Sequence, residues 1–166
     1  MKTQKRILIV DDDIDVITII ETILKKEGYE VFSANNKKEG IEKMKSVKPD
    51  LAILDVMMTT HYEGFELAQE ILNNPEFKNT PFLIQSSIDI LTTTKAAVQE
   101  MAREFRKDPN YKELQVLLVK NITTGDAGID YLSENGKTHW FPVHGFIRKP
   151  VDGKIVVAEI NRLLNK

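Results

Sequence analysis

The chain of 166 residues contains no cysteine, only 7% aromatic residues and no long apolar segment. Without cysteine, disulfide bonds, thiolate metal sites and cysteine nucleophiles are excluded. The basic N-terminus runs into only four apolar residues, 7–10, which are too few for a signal-peptide core. No apolar run approaches the roughly 20 residues that a membrane-spanning helix needs. We therefore expect a soluble, cytoplasmic protein without a membrane partner.

The chain also lacks a large excess of either charge, because 23 basic residues nearly balance 25 acidic ones and leave a formal net charge of -2. No basic block stands out, so direct binding to nucleic acid is not expected. A hydrophobic fraction of 42% is ordinary for a packed core and argues against disorder. The length fits one domain, and we expect residues 1–166 to form it.

Short apolar segments alternate with segments of helical periodicity along most of the chain. The pattern predicts strands at residues 7–10, 29–34, 51–54, 82–85 and 145–148, and helices at residues 14–27, 37–47, 63–72 and 154–164. Asp13 is a suitable N-cap for the first helix, and Gly28 a suitable end. Such alternation is typical of βαβ units and a parallel sheet. In open sheets of this kind, ligands bind beyond the carboxyl ends of the strands.

Polar residues follow the predicted strands at that edge: Asp11, Asp12 and Asp13 after the first, Asp55 after the third, Ser86 after the fourth and Lys149 after the last. Crowded carboxylates repel one another, and a hard divalent cation such as Mg²⁺ neutralises them. A carboxylate in this setting can act as a nucleophile toward phosphorus. A lysine and a hydroxyl group beside it can hold the phosphoryl oxygens.

Four motifs in order resemble those of response-regulator receiver domains. They are ILIVDDD at residues 7–13, PDLAILDVMM at 49–58, PFLIQS at 81–86 and GFIRKP at 145–150. The resemblance covers residues 5–87 and 143–165. It implies an α/β fold of flavodoxin-like type, with a doubly wound five-stranded parallel sheet in the order 2-1-3-4-5 and three layers.

The resemblance also implies a role for each matching residue. Asp55 would be both the phospho-acceptor and a metal ligand. The other metal ligands would be Asp12 directly, Asp11 mainly through water, and the Met57 backbone carbonyl. Ser86 and Lys149 would contact the phosphoryl group, and Phe146 would be the aromatic residue whose rotamer follows the switch. The metal would be Mg²⁺ or Mn²⁺. Pro150 suits a cis peptide bond at this turn. Ser86 is preferred to the adjacent Ser87 because it falls where the fourth strand should end.

The chain departs from the family pattern in two places. The loop at residues 57–64 lacks the usual proline and is about one residue longer than usual. The segment between Ser86 and Lys149 is roughly forty residues longer than we expect, which predicts an insertion at about 88–142. Inside it, the pattern predicts a helix at 92–107, a strand or buried helical turn at 114–119 and a short helix at 128–134.

The histidines and two neighbouring aromatic residues do not by themselves indicate a binding site. His61, His139 and His144 have no flanking acidic cluster or cysteine, so surface or core positions are favoured over metal binding. Trp140 and Phe141 suit either the core of the insertion or a binding hot spot. An insertion before the last strand would rebuild the surface that commonly reports phosphorylation in receivers.

The resemblance implies a stand-alone response regulator of a two-component phosphorelay. A histidine kinase or phosphotransfer protein would donate to Asp55, and the output would be contact with an unknown protein partner. Such a domain is a phospho-acceptor and not a turnover enzyme. The alternative is a receiver-like scaffold that binds a partner without phosphorylation. An aspartyl-phosphate phosphatase is disfavoured because Met57 stands where those enzymes place a general acid.

Overall fold

The structure, a computed structural model, describes residues 4–55, 63–94, 97–133 and 135–164. The helices are α1 Ile14–Lys26, α2 Lys37–Val47, α3 Glu63–Asn73, α4 Val98–Arg106 and α5 Gly153–Leu164. The strands are β1 Arg6–Val10, β2 Glu30–Ala34, β3 Leu51–Asp55, β4 Phe82–Ser86, β5 Ile90–Thr93, β6 Val116–Asn121, β7 Ala127–Leu132, β8 Thr138–Val143 and β9 Phe146–Arg148.

Five strands form a parallel sheet in the order β2-β1-β3-β4-β9. This is the predicted 2-1-3-4-5 order, with β9 as the fifth strand, and the prediction of a flavodoxin-like α/β fold is confirmed. Every residue of β3 and β4 is buried. Strands become apolar throughout when both faces of a parallel sheet are covered, and this is why the sequence shows apolar runs rather than alternation.

The two faces of this sheet have separate cores. Ile7, Ile53 and Ile147 lie on the face that packs against α1 and α5. Leu8, Leu54 and Ile84 lie on the opposite face, against α2 and α3. Local signals set the helix ends: Asp13 accepts hydrogen bonds from the backbone amides of the first turn of α1, and Gly28 follows that helix with a φ of 92°.

A second sheet of four strands, in the order β5-β6-β7-β8, lies between β4 and β9 along the chain. We call β5–β8 together with α4 the second-sheet unit. One face of this sheet contributes Leu118, Ala127 and Ile129 to the same core as Leu54 and Ile84. Its other face packs through Leu117 and Val119 against Ala102 of α4. The second sheet therefore covers the five-stranded sheet beside α3, and α4 forms a further layer outside it.

In this stretch one predicted helix is present but starts later than predicted, and a second predicted helix is wrong. The helix predicted at 92–107 begins only at Val98, because residues 90–93 pair in parallel with β6. The short helix predicted at 128–134 is instead strand β7, paired with β6 and β8. A Cβ atom on Gly128 would lie 2.1 Å from Cζ2 of Trp140, so glycine is needed there for the indole to pack across the strand. The open choice at 114–119 resolves as a strand, β6.

None of the helices among the described residues is both long and apolar enough to cross a membrane.

Candidate functional site

Asp11 and Asp55 lie at the carboxyl edge of the five-stranded sheet, each directly after or at the end of its strand. Asp11 follows β1 and is fully buried, and Asp55 ends β3 and is 4% exposed. Asp12 is exposed beside them. One carboxylate oxygen from each of the three residues lies within 4.8 Å of the others. The parallel alignment of β1 and β3 produces this convergence, as the sequence predicts.

Lys149 provides the opposite charge at this cluster. Its Nζ lies 3.1 Å from Asp11 Oδ2 and 3.3 Å from Asp55 Oδ2. Its backbone amide donates to the Ser86 carbonyl at 2.9 Å, which continues the pairing of β9 with β4, and the peptide bond to Pro150 is cis, as predicted. Burial lowers the pKa of the Lys149 ammonium, but the Asp55 and Asp11 carboxylates outweigh this and hold the pKa above its ordinary value.

Asp11 is held by three donors. Its Oδ1 accepts from the Asp13 backbone amide at 2.8 Å. Its Oδ2 accepts from the Gln85 side-chain amide at 2.6 Å and contacts Lys149. Sequence reasoning missed Gln85. The available signal was a polar side chain in the otherwise apolar strand β4, at the position that pairs with Asp55.

Ser86 is the last residue of β4 and is 4% exposed, whereas Ser87 is exposed. The Ser86 Oγ accepts a hydrogen bond from the Ile88 backbone amide at 3.0 Å, so the hydroxyl is tied to the segment that leads into β5. Phe146 begins β9, pairs in register with Ile84 and lies in the core that the two sheets share. Met57 and His61 lie outside the described residues, so the predicted carbonyl ligand stays a prediction.

The other singled-out residues hold structural positions. His144 accepts a hydrogen bond at Nδ1 from the Phe82 backbone amide at 3.1 Å and packs edge-on against the Phe82 ring. Trp140 packs with α4 in the second-sheet unit, and Phe141 stacks on Phe65 of α3. These contacts favour core packing for all three aromatic side chains.

The donor set fits a hard divalent cation. It consists only of carboxylate oxygens, the ligands that Mg²⁺ and Mn²⁺ prefer. Two of the three carboxylates, those of Asp11 and Asp55, pair with the Lys149 ammonium, and the Asp12 carboxylate adds further negative charge that a cation can neutralise. Asp11, Asp12 and Asp55 are therefore able to hold such an ion.

The chain is similar in sequence to one family of known proteins. The family model described as the response regulator receiver domain matches residues 7–118. The alkaline phosphatase synthesis transcriptional regulatory protein PhoP of Bacillus subtilis is 36% identical over 67 residues, 40% of this chain and 28% of that protein. The CAI-1 autoinducer sensor kinase/phosphatase CqsS of Vibrio cholerae is 36% identical over 81 residues, 48% of this chain and 12% of that protein. The chain thus spans much less than half the length of either relative.

The fold has solved counterparts as well. The chemotaxis response regulator CheY4 of Vibrio cholerae superimposes with a TM-score of 0.60 over 98% of this chain and 100% of that one. The two sequences are 20% identical, so this likeness concerns the fold alone.

Proposed function

This chain belongs to the response regulator receiver domain family, and we propose that it accepts a phosphoryl group on Asp55 in two-component signalling. The observation that carries the proposal is the cluster of the Asp11, Asp12 and Asp55 carboxylates, two of which, those of Asp11 and Asp55, contact the ammonium group of Lys149. A buried carboxylate among other carboxylates is a poor choice for stability alone. It suits a site that binds a cation and receives a phosphoryl group.

The step we propose is a direct transfer. An Asp55 carboxylate oxygen attacks the phosphorus atom of a phosphohistidine, a P–O bond forms, and the P–N bond breaks. The electron pair stays on the departing imidazole nitrogen, and Asp55 becomes an acyl phosphate. A divalent cation bound by the aspartates would supply positive charge to the incoming phosphoryl oxygens. Lys149 lies 3.3 Å from Asp55, within reach of the same oxygens.

Ser86 links the reaction to the rest of the molecule. Its hydroxyl can donate to a phosphoryl oxygen on Asp55, whereas in this structure its oxygen accepts from the Ile88 amide. Because Ile88 precedes β5, we propose that phosphorylation is read at the second-sheet unit, with Phe146 repacking in the shared core. The output would then be contact with a protein partner, without direct binding to nucleic acid.

The donor that suits this chemistry is a histidine kinase or a phosphotransfer protein. The likeness to part of a sensor kinase/phosphatase supports a place in such a relay. We propose that the chain assists its own phosphorylation and a slow hydrolysis of the acyl phosphate, without acting as a turnover enzyme.

The experiment that tests this function is incubation of the protein with acetyl phosphate and Mg²⁺, followed by intact mass measurement and mapping of the adduct. The expected result is a hydroxylamine-sensitive phosphoryl group on Asp55 that Asp55→Asn abolishes. Asp50→Asn is the matched control, because Asp50 lies at the opposite end of β3, where it accepts from the Arg6 amide.

The alternative is a scaffold that binds its partner without phosphorylation, and the second-sheet unit is the feature that favours it. Absence of a phosphoryl adduct on the wild-type protein, together with unchanged partner binding by Asp55→Asn, would support the scaffold and contradict phospho-acceptance.

A further inference from the structure

Gln85 is a fully buried polar side chain in the wall of the acidic site. It belongs to β4 and pairs in register with Asp55. Its Nε2 donates to Asp11 Oδ2 at 2.6 Å, a short, charge-assisted hydrogen bond. Its Oε1 is the single buried side-chain oxygen or nitrogen among the described residues without a hydrogen-bond partner. The amide group therefore serves Asp11 while leaving its own acceptor unsatisfied.

This arrangement is unfavourable for folding by itself. A buried, unpaired amide oxygen loses its hydration without replacement, and an apolar side chain of the same length would avoid that loss. The neighbouring residues of β4 show that apolar side chains fit this strand, since Leu83 and Ile84 are buried on its two faces. What Gln85 provides and an apolar residue does not is the donor to Asp11.

The hydrogen bonds on Asp11 define which of its lone pairs are free. Each carboxylate oxygen accepts about two hydrogen bonds. Gln85 and Lys149 occupy Oδ2, and the Asp13 amide occupies one position on Oδ1. Within the described part of the chain, one position on Oδ1 therefore remains open, and the carboxylate cannot rotate without breaking these bonds.

We propose that Gln85 is a positioning residue that fixes the Asp11 carboxylate so that Oδ1 faces the divalent cation. The inference rests on the proposed function, because it assigns a task within that site. It matters most after phosphoryl transfer, when Lys149 turns from Asp11 toward the phosphoryl oxygens. Gln85 is then the donor that stays on Oδ2, because its side chain is fully buried in the sheet, whereas the longer Lys149 side chain is partly exposed and already reaches Asp55.

The test is Gln85→Met, which keeps the length of the side chain and removes both polar atoms. Partners that orient a metal ligand typically change metal affinity by about 10- to 100-fold when removed. We expect Mg²⁺ or Mn²⁺ to bind about 10-fold more weakly, as measured by titration calorimetry and by the electron paramagnetic resonance signal of free Mn²⁺. In metal-free buffer, the melting temperature should change by a few degrees at most, because the unpaired Oε1 is lost together with the hydrogen bond. If Gln85→Met does not fold, Gln85→Leu serves the same purpose.

Ile84→Val is the matched control. It loosens the core in the same strand without touching Asp11, so it should lower the melting temperature and leave metal affinity within twofold of wild type. A structural role for Gln85 would instead lower stability with metal affinity unchanged.

Three outcomes separate the inference from the proposed function. Unchanged metal affinity in Gln85→Met, while Asp12→Asn weakens binding, overturns the positioning role alone. Weaker binding in Gln85→Met with no adduct on wild-type Asp55 supports positioning and overturns phospho-acceptance. Absence of metal binding by the wild-type protein overturns both.

Discussion

Among the described residues, the carboxylate cluster at the sheet edge and the Arg106–Asp130 ion pair are built in opposite ways. At the edge of the five-stranded sheet, Asp11, Asp12 and Asp55 form a carboxylate cluster, and the Lys149 ammonium pairs with Asp11 and Asp55. In the second-sheet unit, Arg106 of α4 faces one carboxylate, that of Asp130 on β7, at 2.6 Å. The first cluster has an excess of negative charge, whereas the second is balanced one to one.

The second cluster is also closed by hydrogen bonds. Arg106 Nη2 donates to the Asp130 carbonyl at 3.1 Å, and Nη1 donates to the carbonyls of Tyr111 and Leu114. The guanidinium thus joins α4, the loop that follows it and β7. A saturated, balanced ion pair suits a structural role, whereas the unbalanced carboxylates form the site that we propose for a cation and a phosphoryl group.

Arg106→Met should have the largest effect on stability, because it leaves Asp130 buried and unpaired. The expected loss is about 3 to 5 kcal/mol in the free energy of unfolding, measured by urea denaturation followed by circular dichroism. Arg103→Met, an exposed change in the same helix, is the control and should cost little. The double variant Arg106→Met/Asp130→Leu should recover most of the loss. A loss below about 1 kcal/mol for Arg106→Met would mean that the Arg106–Asp130 pair contributes no more to stability than an exposed ion pair does.

Lys149→Met should cost less, about 2 kcal/mol in metal-free buffer. Asp11 keeps its hydrogen bonds from Gln85 and the Asp13 amide, and the Lys149 side chain is 21% exposed compared with 10% for Arg106. Millimolar Mg²⁺ should restore part of the stability of Lys149→Met and none of that of Arg106→Met. An equal gain in stability of the two variants on adding Mg²⁺ would contradict the distinction between the clusters. Lys154→Met is the control for the loss of an exposed lysine.

The same variant has a defined pH dependence. The pKa of Lys149 is raised above its ordinary value of 10.5, so its contribution is fully present below that pH. The contribution declines as the pH rises through the higher pKa of the folded state. The difference between wild type and Lys149→Met should therefore be constant from pH 7 to about 10 and shrink above about 10.5.

Lys37→Met should have the smallest effect. Lys37 Nζ lies 2.8 Å from Glu70 and 3.2 Å from Glu66, with 27% of its side chain exposed. Exposed ion pairs contribute about 0.2 to 1 kcal/mol and are screened by salt. We expect a loss of about 0.5 kcal/mol that fades in 1 M NaCl, while the loss in Arg106→Met persists. Lys38→Met, at the adjacent exposed position, is the control. A loss in the free energy of unfolding of Lys37→Met that persists in 1 M NaCl would contradict its assignment as an exposed ion pair.

The five-stranded part of the fold was predictable because its signals are local. Apolar runs such as residues 51–54 are short, end at acidic residues and alternate with helical stripes, so the strands and the place of Asp11, Asp55 and Lys149 at their ends could be predicted. The strand order came from the resemblance to receiver domains. The second sheet was not predictable in the same way. The periodicity of residues 128–134 fits a short helix, and only the antiparallel pairing of β7 with both β6 and β8 makes it a strand. Gln85 was missed because its meaning depends on Asp11, 74 positions away.

The core shared by the two sheets has a practical consequence for anyone who wants a smaller version of this protein. Leu118, Ala127 and Ile129 pack in the same cluster as Phe82 and Ile84 of β4. Deleting residues 88–142 would remove more than a surface loop. It would expose apolar side chains on one face of the five-stranded sheet and make the protein prone to aggregate. A workable minimal version needs a substitute cover, such as a designed amphipathic helix whose apolar stripe matches that exposed face.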